Sequence, residues 1–300
     1  MLSNRKLINV VLTYILKNKG KELRPILVLL CAKLNGEINE KTFVSAALVE
    51  LLHTASLVHD DVVDNSQLRR SVFSIKALWQ SKLAVLVGDY LLAKGLLISV
   101  KYKSYDSLEV VSEAVQKMAE GELLQIEKAR RLNIKEKDYF EIIENKTASL
   151  LVASAVSGVK SVTDNPVKIQ KMREFALNLG IAFQLKDDLF DYEKTDSIGK
   201  PNGNDIQESK MTLPLIYSLN NSDKALKNRV KRILSKKIKT KNNIDFVHNF
   251  VSTHGGLEYT KQVLNSYISN SKQILNTYFE DNESRKSLNI LVDYVVLRNK

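Results

Sequence analysis

The sequence predicts an all-α protein, and three observations support this fold class. The chain contains only 11 glycines and 4 prolines in 300 residues, whereas the many turns of an all-β sandwich or barrel depend on both residue types. Hydrophobic residues make up 44% of the chain, which excludes disordered and collagen-like classes. Apolar residues also recur with a period near 3.6 almost throughout, the period of an amphipathic helix.

The apolar periodicity predicts helices in order along the chain. The first covers residues 7–16. We expect it to be a packed helix and not a signal peptide, because Asn9 and Thr13 interrupt the apolar run and no small-residue cleavage site follows. The breaks between helices are short and polar, so we expect a single domain over residues 1–300. Further helices are predicted over residues 23–34, 42–58, 82–100, 108–126, 139–156, 169–189, 211–219 and 226–238, and in the C-terminal stretch beyond.

Composition sets looser bounds on location and partners. The single cysteine, Cys31, cannot form an internal disulfide, which favours a reducing, cytoplasmic location. No apolar stretch approaches the ~20 residues needed to cross a bilayer. The net charge of +11 favours polyanionic partners. Nine basic and no acidic residues lie between Lys224 and Lys241, a pattern more often a solvated helix face than an anionic docking surface. No aromatic residue is interleaved there, so nucleic acid is not an expected partner.

Two acidic turns with identical spacing carry the chemistry. The first trio, Asp60, Asp61 and Asp64, follows a mainly apolar run. On a helix its outer members project from one face, and two carboxylates about 5 Å apart repel by roughly 3 kcal/mol at a dielectric near 20. The same pattern returns as Asp187, Asp188 and Asp191. Carboxylate oxygens indicate a hard cation, and Mg²⁺ commonly takes one or two carboxylates together with substrate phosphates. A metal-assisted diphosphate site is therefore predicted.

A diphosphate site also needs fixed cations. Arg69 and Arg70 follow the first acidic turn, about one and a half helical turns on, and arginine suits bidentate phosphate contacts. A loop over residues 199–203, rich in glycine and proline, follows the second acidic turn and is expected to be functional. The other candidate cations are Lys21, Arg24, Lys146, Lys200 and Lys210, each of which, taken alone, is more often an ordinary surface charge.

With these motifs the chain resembles the trans-isoprenyl diphosphate synthases, and among them the bacterial polyprenyl diphosphate synthases of medium or long product length. The resemblance implies an all-α bundle of ten or more helices around a deep central cavity, usually a homodimer. Relative to that family, about one helix fewer precedes the Gly20-Lys21 block. The matching segments are residues 20–25, 53–64, 69–70, 87–90, 120–125, 146–147, 183–191, 199–200, 205 and 210–214.

The resemblance also implies a reaction and a role for each matching residue. An allylic diphosphate, farnesyl or geranyl, would lose diphosphate with the help of Mg²⁺, three ions in all. The double bond of isopentenyl diphosphate would then attack the resulting cation, adding five carbons per cycle.

Asp60 and Asp64 would bind two Mg²⁺ and Asp187 a third, with Asp61, Asp188 and Asp191 completing the acidic rims. Arg69, Lys146 and Lys200 would neutralise the allylic diphosphate, and Lys210 is a further phosphate candidate. Lys21, Arg24, His53 and Arg70 would hold isopentenyl diphosphate, and Thr147 and Gln184 would lie along the developing cation.

The residues just before the first acidic turn give an indication of product length. Ala55 and Ser56 precede Asp60 by five and four residues, one helical turn away along the face expected to carry the metals. Short-chain members of the resembled family place aromatic residues there. Small side chains leave the path of a growing hydrocarbon open, so we expect a medium or long product of the kind used as a quinone side chain.

Three other functions would also fit parts of this sequence. A class I terpene cyclase shares the fold, but usually replaces the second aspartate motif with an Asn/Asp-Ser/Thr-Glu pattern that this chain lacks. A non-catalytic subunit of a heteromeric synthase typically loses the acidic motifs, and both are intact here. A helical scaffold that binds nucleic acid or membrane through the basic run remains the third. A synthase would itself allow peripheral membrane contact for product release.

Overall fold

The structure, a computed structural model, describes residues 5–18, 20–69, 72–129, 132–192 and 204–297. The described residues are almost entirely helical, which confirms the all-α prediction of ten or more helices. The helices are α1 Lys6–Lys17, α2 Leu23–Asn35, α3 Glu40–Val63, α4 Ile75–Lys101, α5 Tyr105–Ala129, α6 Glu136–Ile143, α7 Ser149–Lys160, α8 Pro166–Phe190, α9 Asn204–Gln207, α10 Leu213–Asn220, α11 Lys224–Leu234, α12 Lys241–Thr253, α13 Gly256–Tyr278 and α14 Glu283–Leu297.

Two compact units divide the chain between them. The first comprises Met1–Val115 and Ala153–Met172, and the second comprises Gln116–Val152 and Arg173–Lys300. The chain passes from one unit to the other within α5, α7 and α8. That the whole chain acts as one domain stays a prediction.

The first unit is organised around α3, which packs along α2 and α4. A capping box begins this helix: the backbone N–H of Thr42 donates to Asn39 Oδ1 at 3.2 Å, and the Asn39 N–H donates back to Thr42 Oγ1 at 3.3 Å. Leu48 and Val49 of α3 are fully buried. The helix that carries the first acidic motif is therefore a core helix with a fixed start.

Two helices of this unit, α3 and α4, are long and apolar enough to cross a bilayer by length and composition. Their most apolar windows have mean hydropathies of 1.3 and 1.8 and are 56% and 33% buried within the structure. The expectation that no stretch approaches the spanning length is thus wrong for these helices, because scattered polar residues do not lower their mean hydropathy enough. The burial of α3 is typical of a core helix in a water-soluble protein, while α4 leaves an apolar face exposed.

A short antiparallel hairpin follows α3, with β1 Leu68–Arg69 paired to β2 Val72–Phe73. The helix ends at Val63 because Asp64 and Asn65 form a turn, in which Asn65 adopts a left-handed φ of 53°. Arg69 therefore lies on a strand, beyond the end of the helix that carries the acidic turn. The hairpin turns the Arg69 side chain back toward α3.

The second unit contains an interruption that periodicity did not reveal. The predicted helix over residues 139–156 consists of α6, a π-helical turn at Glu144–Ala148 and α7. A π turn inserts one extra residue per turn and so leaves the apolar pattern on either side readable as helix. In the rest of the unit α13 packs on α10, α12 and α14, and α6 packs on α10. The predicted helix over residues 226–238 ends earlier, at Leu234.

Candidate active site

The first acidic motif occupies the C-terminal end of α3. Asp60 is half-buried within the last turn, Asp61 is only 2% exposed, and Asp64 is the exposed C-cap residue whose N–H donates to the Asp60 carbonyl at 2.8 Å. The last turn holds no basic residue. Because backbone carbonyls already make a helix C-terminus electronegative, three carboxylates there concentrate negative charge and favour a cation.

Arg69 closes one side of this motif with a partly buried ion pair. Its Nε and Nη2 atoms donate to the same Asp61 oxygen, Oδ1, at 2.9 and 2.8 Å. The Asp61 side chain is 3% exposed and that of Arg69 is 34% exposed. The guanidinium thus compensates the buried carboxylate and keeps one edge open for a second anion.

The residues expected to hold isopentenyl diphosphate are partly brought together in the first unit. Arg24 Nη1 lies 2.9 Å from His53 Nε2, which joins α2 to α3. Lys21 is exposed in the segment just before α2. Beside them lies a cavity of about 90 Å³ lined, among others, by Gly20, His53, Thr54, Asp61, Arg69 and Phe73.

Ala55 and Ser56 lie in different surroundings, although they are adjacent on α3. Ala55 is buried in the apolar cluster formed by residues of α1, α3 and α4, including Val11, Leu51 and Leu91. Ser56 is half-buried, and its hydroxyl donates to the His53 carbonyl at 2.8 Å. Of the two, Ser56 is the residue one turn before Asp60 that has room to change without repacking the core.

The second acidic motif ends α8, which likewise has no basic residue in its last turn. Asp188 is buried and accepts two hydrogen bonds, from the Tyr139 hydroxyl at 2.5 Å and from Gln184 Nε2 at 2.8 Å. Burial raises the pKa of Asp188 to about 7, against the lowering effect of these bonds. Asp191 is buried and accepts from the Asp205 N–H at 3.0 Å, while Asp187 is half-buried.

The π turn presents Lys146 and Thr147. Lys146 Nζ pairs with Glu122 and lies 3.3 Å from Gln125 Oε1, both on α5. Thr147 Oγ1 donates to Gln184 Oε1 of α8 at 2.8 Å. π turns occur mostly as single interruptions of α-helices and are frequent at functional sites. This one directs adjacent side chains to two different helices.

One cavity of the second unit gathers most of the residues predicted for that half of the chemistry. It measures about 270 Å³, and Lys146, Thr147, Gln184, Asp188 and Lys210 are among its lining residues. Lys210 pairs with Glu208 at 2.6 Å and Asp205 at 3.7 Å. The named lining residues come from three separate segments, namely the π turn, α8 and the stretch after α9, so their shared cavity is a result of tertiary packing.

The sequence did not indicate two further lining residues as site residues, Tyr139 and Asp205. Burial, together with the Asp188 charge, raises the pKa of Tyr139 well above its usual value, so its hydroxyl stays protonated and donates to Asp188. In the sequence, Asp205 stands out only as one of the positions that match the family's motifs. Arg70, Lys200 and the loop over residues 199–203 lie outside the described residues.

The donor set fits a hard divalent cation. Each motif offers carboxylate oxygens at an electronegative helix end, and no thiolate or imidazole accompanies them within the motif. In the part of the chain that the structure describes, no three His, Cys, Asp or Glu side chains form a preassembled metal cage. Mg²⁺ bound through one or two carboxylates and phosphate oxygens does not need such a cage.

Known proteins are similar to this chain in sequence and in fold. Octaprenyl diphosphate synthase of Escherichia coli K12 is 38% identical over 218 residues, which are 72% of this chain and 68% of that protein. A short chain isoprenyl diphosphate synthase of Methanothermobacter thermautotrophicus is 31% identical over 285 residues, 93% of this chain and 86% of that protein. A polyprenyl synthase of Caulobacter crescentus CB15, crystallised with calcium and isoprenyl diphosphate, superposes with a TM-score of 0.91 at 35% identity, covering 100% of this chain and 92% of that one.

The sequence model of the family described as Polyprenyl synthetase matches residues 5–251. That match includes both acidic motifs, the hairpin with Arg69 and the π turn. The chain belongs to the polyprenyl synthetase family, whose members are Mg²⁺-dependent prenyltransferases.

Proposed function

We propose that this protein condenses isopentenyl diphosphate with an allylic diphosphate, farnesyl or geranyl, in successive head-to-tail steps. The product is a medium- or long-chain all-trans polyprenyl diphosphate, and each step releases diphosphate. The observation that carries this proposal is the cavity of the second unit, where cations, an acidic helix end and the Thr147–Gln184 pair line one space. Negative charge on the leaving diphosphate and positive charge on the allylic carbon each find a complementary group there.

The acidic motifs hold the metal ions in this proposal. Asp60 and Asp64 bind two Mg²⁺ and Asp187 binds a third, while Asp188 and Asp191 stay in their hydrogen bonds. When bound, Mg²⁺ supplies Lewis-acid stabilisation of the departing diphosphate. Support comes from the two electronegative helix ends and from the calcium and isoprenyl diphosphate found with the Caulobacter relative.

The remaining polar residues bind and orient the substrates. Arg69 presents the open edge of its guanidinium to the allylic diphosphate, and Lys146, Lys200 and Lys210 add further positive charge. Arg24 and His53, held 2.9 Å apart, bind isopentenyl diphosphate with Lys21 and Arg70. The Thr147 and Gln184 oxygens stabilise the developing allylic cation, and the apolar wall residues Ile142 and Ile143 exclude water that would quench it.

The exposed side of α4 supports a homodimer. Val85, Leu86, Leu97 and Val100 are between 41% and 66% exposed, and they recur at helical spacing along one face. The exposed Asp89 lies among them, but several large apolar side chains on one helix face still form a patch that a monomer rarely exposes to water. A second copy of this chain, meeting it through the same face, buries these residues, as expected for a symmetric dimer. We further propose that the enzyme is cytoplasmic, which agrees with the buried and unpaired Cys31.

A medium or long product follows from the surroundings of Ser56. This small residue lies one turn from Asp60 on α3, where a larger side chain would stand in the path of a hydrocarbon leaving the metal site. The names of the relatives include both short and long products, so this local feature carries the length prediction.

The test is elongation itself. The protein is incubated with Mg²⁺, isopentenyl diphosphate and farnesyl diphosphate, and the dephosphorylated products are weighed by mass spectrometry. We expect a ladder of masses separated by one isoprene unit. Asp60→Ala and Asp187→Ala should abolish it, whereas Asp164→Ala, an aspartate in the loop before α8, should not. A folded wild type that elongates neither farnesyl nor geranyl diphosphate would overturn the assignment.

A further inference from the structure

The basic run left unassigned by the reaction forms a continuous surface of the second unit. We define the basic surface as α11 together with the turn over residues 235–240 and the first residue of α12. One side of α11 is buried through Val230, Ile233 and Leu234. The helix therefore packs along the second unit with its opposite side in water. The exposed basic residues of this surface are Lys224, Arg229, Arg232, Lys236, Lys237 and Lys241.

The charge of this surface is uncompensated over most of its length. Within the described residues no ion pair joins these exposed basic residues to a carboxylate. The neighbouring acids in sequence are Asp223, whose carboxylate caps α11 through the Leu226 N–H at 2.8 Å, and the exposed Asp245 on α12. The Arg229 guanidinium stacks 4.1 Å over the Phe246 ring and is thereby fixed in place.

The turn after α11 is pinned so that an apolar side chain projects outward. Lys239 is 6% exposed, and its ammonium group donates to the Gln207 carbonyl at 2.9 Å, to Ser209 Oγ at 2.8 Å and to the Lys236 carbonyl at 3.0 Å. With Lys239 anchored inward, the adjacent Ile238 is 77% exposed, more than any other large hydrophobic residue among those described. Lysines at positions 236 and 237 precede it.

This combination fits a lipid surface better than a nucleic acid. Basic residues attract anionic headgroups, and an exposed aliphatic side chain among them gains free energy by entering the acyl boundary. A nucleic-acid strand would instead use exposed aromatic rings for stacking, and this surface presents none, because Phe246 is covered by Arg229. The same turn is bonded to Ser209, which also lines the cavity of the second unit.

We propose that the basic surface docks this protein on anionic membranes, with Ile238 as the inserted anchor. The proposal rests in part on the proposed function, because a polyprenyl diphosphate carries a tail that must pass from the enzyme into a bilayer. Docking through a turn bonded to a cavity-lining residue brings that cavity close to the lipid. Each basic residue near an anionic surface contributes about fivefold in affinity.

The experiment is sedimentation of the full chain with vesicles. One set is an equal mixture of phosphatidylglycerol and phosphatidylcholine, and the other is phosphatidylcholine alone. We expect binding to the anionic vesicles only, weakening with added salt. Lys236→Glu/Lys237→Glu should lower the partition coefficient by about 25-fold or more. Ile238→Ser should lower it while keeping the salt dependence. The control Lys33→Glu/Lys261→Glu makes the same charge change at exposed lysines outside the basic surface and should retain most of the binding.

Three outcomes overturn the proposal. The first is no vesicle binding by the wild type, and the second is an equal loss of vesicle binding in the control variant. The third is binding to a single-stranded RNA oligonucleotide that the same substitutions abolish, together with no binding to vesicles. Elongation measured in detergent keeps the two proposals separate. Vesicle binding without elongation would overturn the proposed synthase activity and support the membrane-docking surface. Elongation without vesicle binding would support the synthase activity and overturn the docking surface.

Discussion

A single methyl group added at Gly180 should separate the role of the π turn from its contribution to stability. Gly180 lies on α8, and a Cβ built there comes within 2.6 Å of both Cα and Cβ of Ala148, the last residue of the π turn. Ordinary contact begins at 3.4 Å, so Gly180→Ala forces the two backbones apart by about 0.8 Å. The displacement passes directly to Thr147 and to its hydrogen bond with Gln184.

Two magnitudes follow from that displacement. Overpacking of a buried contact costs about 1–3 kcal/mol of stability. A misplacement near 1 Å at a catalytic group lowers turnover by up to about 100-fold. We therefore expect Gly180→Ala to reduce kcat for elongation by about 10- to 100-fold at a temperature where the variant is fully folded.

Gly158→Ala is the matched control. A Cβ at Gly158 comes within 2.3 Å of the Val28 carbonyl oxygen, again a clash with backbone, but in the first unit and away from the π turn. Both variants should show a lowered Tm by calorimetry, and only Gly180→Ala should lose kcat beyond that effect. Equal loss of kcat in the two variants, or normal kcat in a destabilised Gly180→Ala protein, would refute the reasoning.

Three other perturbations have defined outcomes. Burial raises the pKa of Asp188 from 3.8 to about 7, so between these pH values the folded protein keeps a proton that the unfolded chain releases, and stability falls as the pH rises. Asp188→Asn should therefore raise the Tm of chelator-treated protein at pH 8 relative to wild type, and the gain should shrink toward pH 4. A pH-independent difference in Tm would contradict the assignment. Arg69→Ala leaves Asp61 buried and unpaired, at an expected cost of up to about 3 kcal/mol in denaturant unfolding, and adding Asp61→Asn should recover most of it. Ser56→Phe should shorten the longest product seen by mass spectrometry while Ser56→Ala leaves it unchanged, and an unaltered ladder in both would remove the length argument.

The elements that sequence analysis located are those specified by local patterns. Helix periodicity depends on residues three and four apart, so α2, α3 and α8 were found close to their observed bounds. The two acidic trios are equally local, since type and spacing alone place their carboxylates on one helix face. What periodicity could not show was where a helix changes its winding or stops, as at the π turn and at Leu234.

Long-range packing decided the rest. Arg69 reaches Asp61 only because a left-handed Asn65 and a hairpin reverse the chain, and Tyr139 reaches Asp188 across 49 residues of sequence. Ala55 and Ser56 are neighbours in sequence, yet one packs in an apolar core and the other stays half-buried. The sequence by itself thus determined a helical chain with two acidic turns, for which it predicts cation binding. The tertiary structure decided which side chains surround each turn, because such contacts are closed by distant segments that no local pattern encodes.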